Sequence, residues 1–302
     1  MYKISEVLEF KDLPSELRMK VVSEEIIEGA RLPLLFTQVF NQESLVGKDG
    51  RIMYFIKATQ LSASAISDVS YDEPETTLAS GLSFASEKTV TTVNVLVSDL
   101  IYCAGELSDV LSEDYPSVDW QRLTLKNMGL AIGEYIEGAI ETVLESASGV
   151  VEKTVASISF GAVEDALAAM ADNFWIASED ARPFLFVSPA EASYLLQDTT
   201  FVESRRYTTN DLEHMVDGEI GLYAGCRVMV HPALKDSSYA YIIFPSDTKY
   251  GTVGCLVWKR MLRTKSEYVI EKEKTQFLVS ARVKFGVIQP LGICRIYISA
   301  TP

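Results

Sequence analysis

The sequence predicts an α+β fold in which strands and helices are segregated along the chain and do not alternate strictly. Three observations predict it. Stretches rich in β-branched and aromatic residues fall at 51–58 and 89–97, and three more follow residue 265. A single long amphipathic pattern, about 118–147, separates the early strands from the late ones. The 302 residues, 48% hydrophobic and 23% charged, can form one large domain or two intertwined ones.

The elements follow in order. From Pro14 to about Ala30 the pattern is helical, with Leu17, Val21, Val22, Ile26 and Ile27 on one face. Pro33 then forces an extended passage. Between the strands 51–58 and 89–97 lies a polar excursion, 61–86, dense in Ser, Thr, Ala and Glu. Such a pair of strands predicts a β-hairpin, and polar connections of this length are usually functional. In the helix at 118–147, Met128, Ile132, Tyr135, Ile136, Ala139, Ile140 and Val143 repeat at three-and-four spacing. Ser117 is positioned to cap it and Gly149 to stop it. A second helix, 161–173, carries Val163, Leu167 and Met170 on one side. Phe184 to Val187 reads as a short strand. Ser188-Pro189-Ala190-Glu191 then forms a capping box that opens a helix to Leu196. Further strands are predicted at 226–231, 239–244, 266–270, 276–285 and 294–299.

Charge and composition exclude several classes. A formal net charge of −15 and a pI near 4.7 argue against a protein that grips phosphates through a basic footprint. The N-terminus lacks the basic-then-apolar layout of a secretory signal, and no apolar run approaches the roughly 18 residues that span a bilayer. Cys103, Cys226, Cys255 and Cys294 form no C-x-x-C pair and read as reduced, buried thiols, which places assembly in a cytoplasm.

In this order the chain resembles the Hong Kong 97-type major capsid proteins of tailed bacterial and archaeal viruses, over nearly its whole length. Val93-Asn-Val-Leu-Val-Ser-Asp-Leu100, with Gly105-Glu-Leu-Ser-Asp-Val110, is similar to the family's passage from the hairpin called the E-loop into a peripheral domain. Phe186-Val-Ser-Pro-Ala-Glu-Ala-Ser-Tyr-Leu-Leu196 resembles the strand and helix that open the axial domain. The segments 218–232 and 275–290 resemble a later axial strand and the closing β segment. The resemblance implies an N-terminal arm at 1–45, an E-loop at 46–96, a peripheral domain at 97–180 and 265–302 with a spine helix at 118–147, and an axial domain at 181–264. It implies a non-enzymatic homo-oligomer, with pentamers and hexamers closing an icosahedral shell around double-stranded DNA. That DNA is held without sequence-specific binding. It implies no cofactor and no membrane, a location in the virion after assembly in the host cytoplasm, and portal, scaffolding or decoration proteins as further partners. Scaffolding is expected from a separate protein or none, since no long segment precedes the arm. An encapsulin-like nanocompartment enclosing a cargo enzyme is the nearest alternative, and an acidic cytosolic α+β enzyme a more distant one.

Candidate site residues are few. Glu134, Glu137, Glu141 and Glu145 are spaced to share one face of the long helix. A carboxylate ladder that binds metal in a bundle needs a Glu-x-x-His partner, and this helix contains no histidine. The ladder therefore reads as a solvated face or one meeting a neighbouring subunit. In the resembled family the E-loop of one subunit lies over the next subunit's spine. That favours the neighbour, with Lys57 and Lys88 as candidate partners and Asp72, Glu73 and Glu75 in the loop as further contact candidates. His214 and His231, the two histidines, sit in no nucleophile-elbow context, and His231 before Pro232 reads as structural. Gly218, Gly221 and Gly225 match neither dinucleotide nor P-loop spacing and read as turn glycines. Trp120, Trp175 and Trp258 are scattered and read as core or interface anchors.

Overall fold

The computed structural model describes residues 35–58, 90–114, 119–173, 175–176, 181–197, 219–246 and 252–299. The helix expected at 14–30, the polar excursion at 61–86 and His214 lie outside the described residues.

A four-stranded sheet has the order β1-β10-β11-β4, where β1 is Asn41–Ser44, β4 Ile101–Ser108, β10 Gly254–Val269 and β11 Lys274–Val287. β10 and β11 form a long antiparallel hairpin, β4 extends it antiparallel, and β1 joins β10 in parallel. The spine helix α2, Trp120–Ser146, lies against β4 and β11 after a short helix α1, Asp109–Asp114. Its 27 residues give a rod of about 40 Å. Leu125, Met128, Ile132, Ile136, Ile140 and Leu144 form its buried stripe. Contact with the sheet is close: a Cβ on Gly105 would lie 3.1 Å from Met128 Sδ. Asp119, not Ser117, caps the helix by accepting from Arg122 N, and Gly149 follows the C-cap with φ +77°.

The second sheet has six strands in the order β5-β12-β9-β6-β8-β7. These are Val151–Val155, Ile293–Ile298, Tyr239–Ile243, Phe184–Val187, Cys226–Val230 and Glu219–Tyr223. Every residue of β6 is buried, as expected for a central strand whose sequence is Phe-Leu-Phe-Val. Helix α3, Phe160–Ala171, buries Val163, Ala166 and Met170 and packs on β5 and β12. Helix α4, Pro189–Leu195, starts as the capping box predicts, with Ser188 Oγ accepting from Glu191 N. Ala224 and Gly225, both at positive φ, make the two-residue turn between β7 and β8.

A third element is a two-stranded ribbon of β2, Ile52–Ala58, and β3, Val90–Leu96. Its base packs through Val95 into a small cluster with Leu45, Val97, Cys255, Val257 and Ile288.

Three expectations shift. Residues 35–45, assigned to the arm, are part of this protomer: Phe36 is fully buried and β1 pairs with β10. β5, α3 and β12, expected with the spine helix, instead belong to or pack on the six-stranded sheet. The strand expected to start at 266 begins at Gly254, so the hairpin spans the boundary drawn at 264.

Candidate assembly surfaces and a buried anchor

The spine carboxylates do not behave as one ladder. Glu134 and Glu145 are exposed and Glu141 is half-buried, but Glu137 is only 1% exposed. This corrects the reading of Glu137 as a solvated or neighbour-facing residue. Its Oε2 lies 2.6 Å from His231 Nε2 and accepts from Phe36 N at 3.0 Å. His231 Nδ1 accepts from Ala233 N at 3.1 Å, which leaves the ring proton on Nε2, donated to the carboxylate. The Phe36 ring stacks on the His231 ring at 4.1 Å and meets Phe186 at 4.6 Å. One carboxylate thus ties together the spine helix, the segment leading into β1 and the loop after β8. Sequence reasoning placed His231 as structural but missed its partner, 94 residues away. A signal was available: Glu137 falls on the apolar stripe beside Gly133, Ile136 and Ile140.

The far end of the spine is fixed differently. Arg295 Nη1 on β12 donates to the carbonyls of Leu144 and Glu145, and Nη2 pairs with Glu152. A cation there complements the helix C-terminus.

Lys57 lies in β2 opposite Thr91. Lys88, Asp72, Glu73 and Glu75 lie outside the described residues.

The surface carries large apolar side chains. Tyr54 on the ribbon is 63% exposed, Tyr102 on β4 67%, Tyr135 on the spine 60% and Ile270 at the hairpin turn 78%. Beside the spine, Tyr135, Ala139 and Val143 line a groove against Leu256 and Val283 of the sheet.

Three of the four cysteines are held as thiols by burial. Burial, with the neighbouring Cys294 thiol, pushes Cys226 up to about 12, and burial pushes Cys255 and Cys294 to about 12 as well. At neutral pH they are thiols, not nucleophilic thiolates. His231 is committed on both ring nitrogens. No group of three His, Cys, Asp or Glu side chains is placed to hold a metal among the described residues, and no helix there is long and apolar enough to cross a membrane.

No protein-family model and no curated protein matches the sequence. Solved structures do match. The capsid of Ralstonia phage GP4 aligns with a TM-score of 0.65 at 11% identity, covering 90% of this chain and 92% of that one. The capsid of cyanophage P-SCSP1u gives 0.64 at 13% identity, covering 90% of each. The virus-like particle from Pyrococcus furiosus gives 0.59 at 12%, covering 92% of this chain and 98% of that one. The chain has the Hong Kong 97-type capsid fold.

Proposed function

We propose that this chain is a major capsid protein, a non-catalytic subunit that assembles through pentamers and hexamers into an icosahedral shell around double-stranded DNA in a virion. The observation that carries this reading is the fold, shared along about nine-tenths of the chain with capsid and virus-like-particle subunits. The surface supports it. A two-stranded ribbon is marginal alone in water, and this one bears exposed Ile52 and Tyr54. In a shell it gains its stability from a neighbour, so folding of these elements and assembly are linked. The acidic chain encloses DNA by volume and does not read its sequence. Portal, scaffolding or decoration proteins would be further partners of the shell, and Glu134, Glu141 and Glu145 with Lys57, Lys88 and the acidic loop residues are the contacts proposed between subunits.

Deleting residues 60–88 tests the reading. The expected product is a soluble subunit that forms no closed shells. Normal particles from the deletion would overturn the E-loop assignment. Particles filled with a protein cargo in place of nucleic acid would replace the viral reading with a nanocompartment.

A further inference from the structure

Charge is distributed unevenly along this chain. Residues 254–287 hold eight of its 27 lysines and arginines but only three of its 42 acidic residues. The β10–β11 hairpin is therefore net positive on a chain of formal charge −15. Strand register gathers part of that charge on one face. Arg263, Ser280 and Tyr102 form one cross-strand row, Lys265, Leu278 and Ala104 the next, and Arg260 sits opposite Arg282. This face points away from the spine helix, because the alternating residues Phe277, Val279 and Ala281 are buried on the helix side. Arg260, Arg263 and Lys265 are exposed and make no ion pair among the described residues. Tyr102 and Leu278 beside them are 67% and 39% exposed.

We propose that this outward face of the four-stranded sheet is a docking surface for an acidic surface of a second copy of the chain. The proposal rests on the shell reading and adds which face carries the contact. Charge complementarity selects the occupant. Outside 254–287 the chain holds 39 acidic residues against 19 basic ones, so every copy supplies a negative partner. Composition points the same way: arginine and tyrosine with a flanking apolar residue is the makeup of a protein interface. A nucleic-acid backbone fits less well. Glu106 and Glu267, facing Gln276 in the next cross-strand row, end the cationic patch and keep it short. Three unpaired cations also fall short of the roughly 6–10 phosphate contacts of a duplex-binding footprint.

The test compares wild-type chain with the double variant Arg263→Glu/Lys265→Glu, both at exposed positions where the fold is not at stake. Assembly is followed by light scattering and sedimentation velocity. Ionic strength is raised from about 0.1 M to about 1 M, which shortens the Debye length from about 10 Å to about 3 Å. The variant is expected to keep the wild-type circular dichroism spectrum and melting curve. It should need at least about tenfold more protein to assemble at low salt, because like charges now face each other. Wild-type assembly should weaken with salt. Equal assembly and equal salt dependence in the two proteins would overturn the docking surface while leaving the shell reading intact. A wild-type chain that never self-associates would overturn both. Duplex DNA binding by the wild type that the variant loses, with unchanged assembly, would replace the second copy with a polyanion.

Discussion

The buried pair at the spine gives a sharp energetic prediction. In the His231→Ala variant the Glu137 carboxylate keeps only the Phe36 amide as a partner, since its Oε1 already has none. Leaving a buried charged acceptor short of its donor costs about 3 kcal/mol. At about 2–4 °C per kcal/mol for domains of this order of size, the melting temperature should fall by on the order of 10 °C. Glu137→Gln should be far milder, within about 1.5 kcal/mol. Both hydrogen bonds go to the same oxygen, Oε2, and a glutamine carbonyl can accept both. The decisive variant is the double one. If the damage in His231→Ala is a stranded charge, adding Glu137→Gln removes that charge, and the double variant should melt above His231→Ala alone. Thermal unfolding of the unassembled subunit, followed by circular dichroism at neutral pH, reads all three. A double variant that melts below His231→Ala, or a glutamine variant as damaged as the alanine one, would refute the reasoning.

Other consequences are local. A Cβ at Gly286 would stand 2.4 Å from Val95 Cγ2, so Gly286→Ala should push the ribbon base off the sheet at a cost of about 1–3 kcal/mol. Val95→Ala in the same chain should recover part of the lost melting temperature, and no recovery would place the strain elsewhere. The Lys274 ammonium, then the Gln276 amide, hold the exposed Glu106 carboxyl below its ordinary value. A carboxyl lowered in the folded state stabilises above its unfolded pKa and loses that contribution as pH falls through the folded one. Its NMR inflection should therefore move up in Lys274→Met, and an unmoved inflection would contradict the pairing. Cys226, Cys255 and Cys294 should resist a thiol reagent at mildly alkaline pH until the chain unfolds, with half-buried Cys103 reacting first. Rapid modification of all four in the folded subunit would contradict the burial.

What could be read from the sequence was mostly local. The three-and-four spacing from Met128 to Ile140 specifies a helix through side chains a turn apart, and Ser188-Pro189 specifies a helix start within four residues. The middle of β10 was not legible for a physical reason. Lys259 to Lys265 is charged and half-exposed, and register shifts at Arg260 and Arg263 break the period of two that marks a strand. β1 is just as hidden: Asn41-Gln-Glu-Ser44 has no strand propensity and is extended because it pairs with β10. The Glu137–His231 contact joins residues far apart in sequence, so spacing could assign the carboxylate to a helix but not to its partner. The cationic hairpin was countable from composition, yet only the register shows that its charges share a face.

Negative-stain electron microscopy of the purified chain, with size-exclusion chromatography alongside, tests the central claim most directly. A capsid subunit should give hollow, uniform polyhedra or discrete pentamers and hexamers. A monodisperse monomer of the chain mass, 33.5 kDa, at every salt and protein concentration would contradict the account.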